Sequence, residues 1–175
     1  MGAGVYEATQ QADISMEQFR DTLGRYASGV TIISSWCDGA PVGFTCQSFY
    51  SVSLSPPLVS FSVMTTSTTF PRVRESGSFL VNILAEDQQK LSDKFARSGT
   101  DKWSGVSWTR SPSKLPRLDG AMAWIECEIA DEYPAGDHVI VLGRVRSLDT
   151  ANGGTSAPLI YFNRNYRRLQ DNGSY

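Results

Sequence analysis

Histidine and cysteine are scarce in this chain of 175 residues: there is one histidine, His138, and three cysteines, Cys37, Cys46 and Cys127. No two cysteines stand in CxxC spacing, and an odd number does not close into a disulfide framework. A Cys/His zinc site would need all four of these residues to converge, so no metal site is expected. A single imidazole excludes the HExxH zinc-protease motif, and a Ser-His-Asp triad would have to use His138 beside Asp137 with an unidentified serine. GxGxxG, Gly-Lys and GxSxG are all absent, which removes the Rossmann phosphate turn, the P-loop and the nucleophile elbow. Charge of one sign is missing too: 16 Lys+Arg against 18 Asp+Glu leave a net −2. That balance gives no electrostatic basis for binding nucleic acid or an anionic membrane. Apolar runs such as Val139–Leu142 are only strand-sized, so no helix spans a bilayer, and Met1–Ser15 carries Glu7 and Asp13 where a signal peptide has an apolar core. The expected setting is the cytoplasm, with neither membrane nor nucleic-acid partner.

What is present is a globular composition, 41% hydrophobic and 19% charged. The length suits one domain able to bury its own core. We assign residues 1–14 to a flexible N-terminal arm, 15–170 to that domain and 171–175 to a C-terminal tail. Ser15 and Gln18 have capping-box spacing ahead of a helix whose apolar stripe is Met16, Phe19, Leu23 and Tyr26, with Gly29 as its stop. Thereafter the periodicity is that of strands, expected at Val30–Ser35, Val42–Ser48, Leu58–Val63, Phe79–Leu84, Met122–Asp131, His138–Ser147 and Leu159–Phe162. In Trp124–Ile129 the alternation sends Ile125, Cys127 and Ile129 to one face. Trp124, Glu126 and Glu128 go to the other, where the two carboxylates read as a solvated pair without chemistry. Cys127 reads as a buried, inert thiol. Short helices are expected at Thr69–Glu75 and Glu86–Ala96, and residues 97–121, rich in Gly, Ser and Pro, as a long covering loop. Few peripheral helices among this many strands exclude a doubly wound α/β sheet and favour a mainly β, Greek-key-type closed barrel, in which closure removes exposed edges.

Chemistry concentrates in small polar residues at strand ends. Gly43-Phe44-Thr45-Cys46-Gln47-Ser48-Phe49 is followed by Ser62-Val63-Met64-Thr65-Thr66-Ser67-Thr68-Thr69, a hydroxyl-rich turn running into a helix. Hydroxyls and free backbone N–H groups there suit a phosphate held by oriented dipoles. The same composition also serves ordinary loops and caps.

Taken in order, Phe19-Arg20 through Gly29-Val30-Thr31, Gly43-x-Thr45-x-x-Ser48-Phe49, Ser53-Leu54-Ser55-Pro56-Pro57-Leu58-Val59, Val81-Asn82-Ile83-Leu84, Phe95-Ala96, Glu126-Cys127, Gly136-Asp137-His138, Pro158–Phe162 and Tyr166-Arg167-x-Leu169 resemble the short-chain flavin reductases. These are the NAD(P)H:flavin oxidoreductase components of two-component flavin-dependent monooxygenases. The resemblance spans residues 16–169. It implies an FMN-binding split barrel, a homodimer with flavin near the interface, FAD (or FMN) and NADH (or NADPH) as cofactors, and a monooxygenase component that receives reduced flavin. It also implies a nicotinamide folded over the flavin, which agrees with the missing Rossmann turn. By that pattern Thr45, Cys46, Gln47 and Ser48 line the flavin ring or ribityl chain, and Ser62, Val63, Ser67 and Thr68 lie at the phosphate, with Ser67 and Thr68 its contacts. Asn82, Phe95 and Ala96 border the flavin, while His138, Tyr166 and Arg167 face the nicotinamide. Cys46 and Gln47 depart from the small residues expected there.

Hydride transfer between two cofactors needs ring stacking, water exclusion and placed donors rather than an acid–base pair, so a chain with one histidine can perform it. Two other functions fit a split barrel: a tight flavin-binding electron-transfer or sensing module, and an oxidase acting on a substrate of its own. The Gly-Asp-His motif favours the reductase. Trp103, Trp108 and Trp124 read as core or rim packing.

Overall fold

A computed structural model describes residues 14–151 and 157–169. The assigned arm lies outside them except for Ile14, as does the whole 171–175 tail. In chain order the elements are α1 (Met16–Leu23), β1 (Ser28–Gly29), β2 (Thr31–Cys37), β3 (Ala40–Cys46), β4 (Tyr50–Leu54), β5 (Pro57–Met64), α2 (Phe70–Ser76) and β6 (Ser78–Ile83). A 3₁₀ turn (Glu86–Gln88) follows, then α3 (Gln89–Ala96), β7 (Trp108–Arg110), β8 (Pro116–Leu118), β9 (Ala123–Ala135), β10 (His138–Thr150), β11 (Ile160–Phe162) and β12 (Asn165–Arg167). Each strand expected from periodicity is present. Five others were not expected: β1, β7, β8 and β12 are only two or three residues long, too short to show alternation, whereas β4, Tyr50-Ser51-Val52-Ser53-Leu54, does alternate and was missed.

Seven strands form one antiparallel sheet in the order β3-β2-β6-β9-β10-β5-β4, with β1, β11 and β12 in a small second sheet and β7–β8 as a hairpin. The fold is mainly β. Among the described residues no ladder joins β3 to β4, so the expected closed ring of strand pairing is not seen. The two ends of the sheet approach instead through a side chain. Ser48 Oγ, just past β3, accepts from Ser62 N at 2.8 Å and donates to Ser62 O at 2.9 Å on β5.

One face of the sheet buries Phe61, Phe79, Val81, Cys127 and Val141 beneath Phe70 and Val73 of α2. Phe61 is the hub, with edge-on contacts to Phe70 and Phe79 at 6.2 and 5.2 Å between ring centroids. Such pairs add about 0.5–1.5 kcal/mol each beyond the area they bury. The opposite face is covered too. Val30, Ile32, Leu84, Phe95, Leu118 and Leu159 pack there with Trp103 and Trp108, and the β7–β8 hairpin lies over Leu80 and Trp124. This second layer corrects one expectation. Glu126 is buried, not solvated, because the hairpin covers its face; only Glu128 is exposed, paired with Arg146 at 2.5 Å.

The first helix also differs from its expected extent. Ser15 Oγ accepts from Gln18 N at 3.1 Å as the cap predicts, but the helix ends at Leu23 rather than near Gly29. Gly24 N closes onto Arg20 O, Asn163 N donates to Gly24 O, and the chain turns to pair β1 with β11. The apolar stripe points away from the protein: Met16 is 75% exposed, Phe19 and Leu23 55%, Tyr26 80%.

Close packing makes Gly143 on β10 a sensitive position. A Cβ there would lie 2.5 Å from Phe79 Cζ and 3.2 Å from Cys127 Cβ, and Phe79 is fully buried with no room to yield. Gly143→Ala is expected to cost about 1–3 kcal/mol through overpacking. Urea unfolding should show the midpoint fall with the slope unchanged.

Candidate functional site

The Ser48 clamp sets the end of β3 against β5, and three further elements complete a cleft around the joint. The first is the turn 65–69. Thr65 donates to Asp137 O through both N (2.9 Å) and Oγ1 (3.1 Å), which ties this turn to the tip of the β9–β10 hairpin. Gly136 has φ +65° at that tip, a conformation that favours glycine and lets His138 open β10 beside the turn. Ser67 Oγ accepts from Phe70 N at 3.1 Å, so the hydroxyl turn is fixed to the start of α2. The last element is α3. Thr45 Oγ1 donates to Ser92 O at 2.6 Å, drawing α3 onto β3 and bringing Phe95 and Ala96 to the cleft wall.

The resulting cleft measures about 460 Å³. It brings together Thr45, Cys46, Gln47, Ser48, Ser62, Val63, Ser67, Thr68, Phe95, Ala96 and His138, all singled out from the sequence. Three others lie elsewhere. Asn82 is wholly buried between sheet and hairpin. Its Nδ2 donates to Ile32 O (3.0 Å) and Ser34 Oγ (2.9 Å), and its Oδ1 accepts from Leu118 N (2.8 Å). Both N–H groups and the oxygen of that amide are engaged in holding β2, β6 and β8 together. Tyr166, on β12, donates to Asp93 Oδ1 and meets Ser92 Oγ, both at 2.9 Å, bracing the outer side of α3. Arg167 is exposed on the same strand. Lys102, Met64, Thr66 and Thr69 also line the cleft. No sequence signal marked Lys102, a lysine in a Gly/Ser-rich loop.

Burial tunes the groups that remain. Desolvation pushes the Cys46 thiol up, and its neighbour Ser48 Oγ at 3.3 Å only partly opposes this. Cys127, in the core, is pushed up to about 12. Lys102 is held below the ordinary lysine range by desolvation. Asp137 is held below the usual carboxylate range by the His138 Nδ1 at 2.6 Å. The cleft therefore offers hydroxyl donors, an aromatic wall at Phe95 and an imidazole at its mouth. Burial keeps its one thiol protonated and a weak nucleophile. Such a site can bind and orient what enters it.

Fold and cleft together define a mainly antiparallel β protein with a hydroxyl-rich binding cleft where the two ends of its sheet meet. The flavin reductase like domain matches residues 23–170. Over 157 residues the chain is 41% identical to the reductase subunit HsaB of a flavin-dependent monooxygenase from Rhodococcus jostii, covering 90% of this chain and 80% of that protein. Its structure is similar to that of a nitrilotriacetate monooxygenase component B homologue from Mycobacterium thermoresistibile, with TM-score 0.88 and 38% identity over 91% of this chain and 89% of the other. The NADH:FAD oxidoreductase SgcE6 of Streptomyces globisporus, solved with NAD and FAD fragments, gives TM-score 0.84 at 31% identity, covering 90% and 94%. The chain belongs to the flavin reductase family and is an NAD(P)H:flavin oxidoreductase.

Cys46 sits in the cleft wall, yet it is 5% exposed with a raised pKa. At pH 8 iodoacetamide should modify it in native protein far more slowly than in protein unfolded in urea, read by mass spectrometry. Labelling at equal rates in both states would show the thiol to be open to solvent.

Proposed function

We propose that the chain reduces free FAD, with FMN as the alternative flavin, using NADH, with NADPH as the alternative donor, and passes the reduced flavin to a flavin-dependent monooxygenase. One observation carries this reading: in a member of this family, the hydroxyl turn and the Thr45–Ser48 segment meet in a single cleft. The residues there fit a flavin. The cleft has an apolar wall for a ring system, hydroxyls along one side and a turn of donors at one end. A bound flavin supplies the redox chemistry, its N5 accepting the hydride given up by nicotinamide C4.

Thr45, Cys46, Gln47 and Ser48 edge the ring and ribityl chain, with Phe95 and Ala96 opposite. Ser62 and Val63 floor the site. Ser67 and Thr68 donate to the phosphate. Ser67 keeps its O–H free for this, since its oxygen is what accepts from Phe70 N. His138, 39% exposed at the mouth, orients the nicotinamide and its Asp137 partner holds the imidazole in place. Asn82 and Tyr166 act at one remove, holding the sheet and α3 that form the walls. On this reading His138 would hold the nicotinamide dinucleotide against the flavin, which agrees with the lack of a Rossmann turn in the sequence.

This reading carries three wider assignments. Sheet closure runs through the Ser48 clamp, making the domain a split barrel. A second copy covers the exposed stripe of α1 to give a homodimer. Three free thiols suit a cytoplasmic setting.

The reading is tested by following NADH consumption against added FAD and FMN. Turnover should rise with flavin and saturate, as for a substrate. A tightly yellow protein whose NADH oxidation ignores added flavin would instead point to an electron-transfer module.

His138→Ala isolates the nicotinamide half-reaction, because no second imidazole interferes. Lost positioning can cost on the order of a hundredfold in rate. The variant is expected to raise KM for NADH or lower kcat, with flavin Kd nearly unchanged. Stopped-flow reduction alongside a thermal melt checks this: normal reduction with a lower Tm would make the histidine structural only.

A further inference from the structure

On the hairpin side of the sheet, away from the cleft, an acid is buried without a counter-charge. Glu126 is 4% exposed, and among the described residues nothing hydrogen-bonds to its wholly buried Oε2. The arginines of the neighbouring strands are committed to other acids. Arg117 Nη1 donates to Asp149 Oδ2 at 2.8 Å, with its guanidinium 3.6 Å over the Trp124 ring, and Arg146 Nη2 donates to Glu128 Oε2 at 2.5 Å. A buried carboxylate is strongly unfavourable unless it is paired. Water satisfies hydrogen bonds but leaves the charge unbalanced.

Glu126 lines a recess of about 260 Å³ that shares no lining residue with the cleft. Its charged lining is Glu126, Asp149 and Arg117. The last two neutralise one another, so the charge left over is that of Glu126. Asp149 is further engaged through Oδ1, which accepts from Thr150 N at 2.9 Å. One free carboxylate is too small an oxygen set for calcium or magnesium, which take about six or more. Ser147, the ladder partner of Glu126 on β10, adds a hydroxyl. The rest of the lining includes Leu80, fully buried, and Leu148, which is 70% exposed and opens the recess to solvent. A carboxylate at the buried end and aliphatic walls above it suit a cation carried on a short hydrocarbon stem.

We propose that this recess is a second ligand site, separate from the cleft, which binds a small primary alkylammonium. The ammonium donates to Glu126 and to the Ser147 hydroxyl, and the alkyl stem lies along Leu80 and Leu148. The bound cation balances the buried charge that the chain's own arginines leave uncovered. This inference stands apart from the reading of the cleft as a flavin site, since the two places have no residue in common.

Calorimetric titration of n-butylammonium chloride into the native protein, in a buffer free of primary amines, should show saturable binding of one ligand per chain. n-Butanol, the same stem without the charge, should bind at least about tenfold more weakly. Sodium chloride at matched ionic strength should not displace the amine. Glu126→Gln keeps the side-chain shape and removes the charge, so it should weaken n-butylammonium at least about tenfold. Leu148→Trp, at the exposed mouth, should obstruct entry and weaken the amine as well, which provides a second variant if the buried substitution does not fold. Thermal melts identify the folded variants, and FAD should compete with the amine in none of them. No saturable binding to the native protein overturns the inference, as does equal affinity for n-butanol, which would make the recess merely apolar. Undiminished amine binding by either folded variant also overturns it. Displacement by sodium would give the site to an inorganic cation, and displacement by FAD would put the amine in the cleft; either result overturns the inference.

Discussion

The Ser48 hydroxyl is the contact on which the functional geometry depends. In sheet order β3 stands at one end and β5 is next to last at the other, five strands apart along the backbone ladders. Yet Ser48 both accepts from and donates to the backbone of Ser62, engaging a donor and an acceptor that a neighbouring strand would otherwise pair. Buried backbone groups must find partners, and here a side chain supplies them. That substitution of hydroxyl for strand brings residues 45–48 against residues 62–68, and their hydroxyls face one cleft.

Around this joint the protein spends its polar groups on position. Asn82, Thr31, Thr45 and Ser34 are all buried or half-buried and all bonded to backbone carbonyls or to each other. They fix walls whose own chemistry is mild. Among the described residues no alcohol is hydrogen-bonded to the His138 imidazole, whose Nδ1 meets Asp137, so no nucleophile–base pair is assembled, which fits an enzyme whose reaction runs between two cofactors. The cations near the cleft follow the same logic. Lys102 is half-buried and bonded only to carbonyls, so an arriving anion finds it desolvated and placed.

Packing sets the tolerances of this arrangement. The sheet is covered on both faces, so small residues are required wherever strand and side chain approach closely. Gly143 makes room for Phe79. Gly43 does the same near the cleft, where a Cβ would stand 2.9 Å from Ile33 O and 3.0 Å from Phe95 Cε1. The Phe95 ring that walls the cleft is therefore held by the core, and its position is inherited from packing rather than from any ligand.

Alternation of apolar and polar residues was enough to place the longer strands, because side chains on a pleated strand divide between two faces whatever lies beyond them. The Ser15 cap and the hydroxyl turn were equally local, and the motif order from Phe19 to Leu169 identified the family. Alternation says which residues share a face and nothing about what covers it. Glu126 read as solvated because the β7–β8 hairpin that buries it comes from a loop with no periodicity of its own. Asn82 sits beside cleft-forming strands in sequence, but its amide was claimed by Leu118, 36 residues away. Lys102 had no local mark at all; it belongs to the cleft because its loop folds back across β3. Residue type and period are properties of short windows, and those the sequence determined. Which window lies against which is decided by pairing and packing between residues far apart in the chain, and only the tertiary structure holds that information.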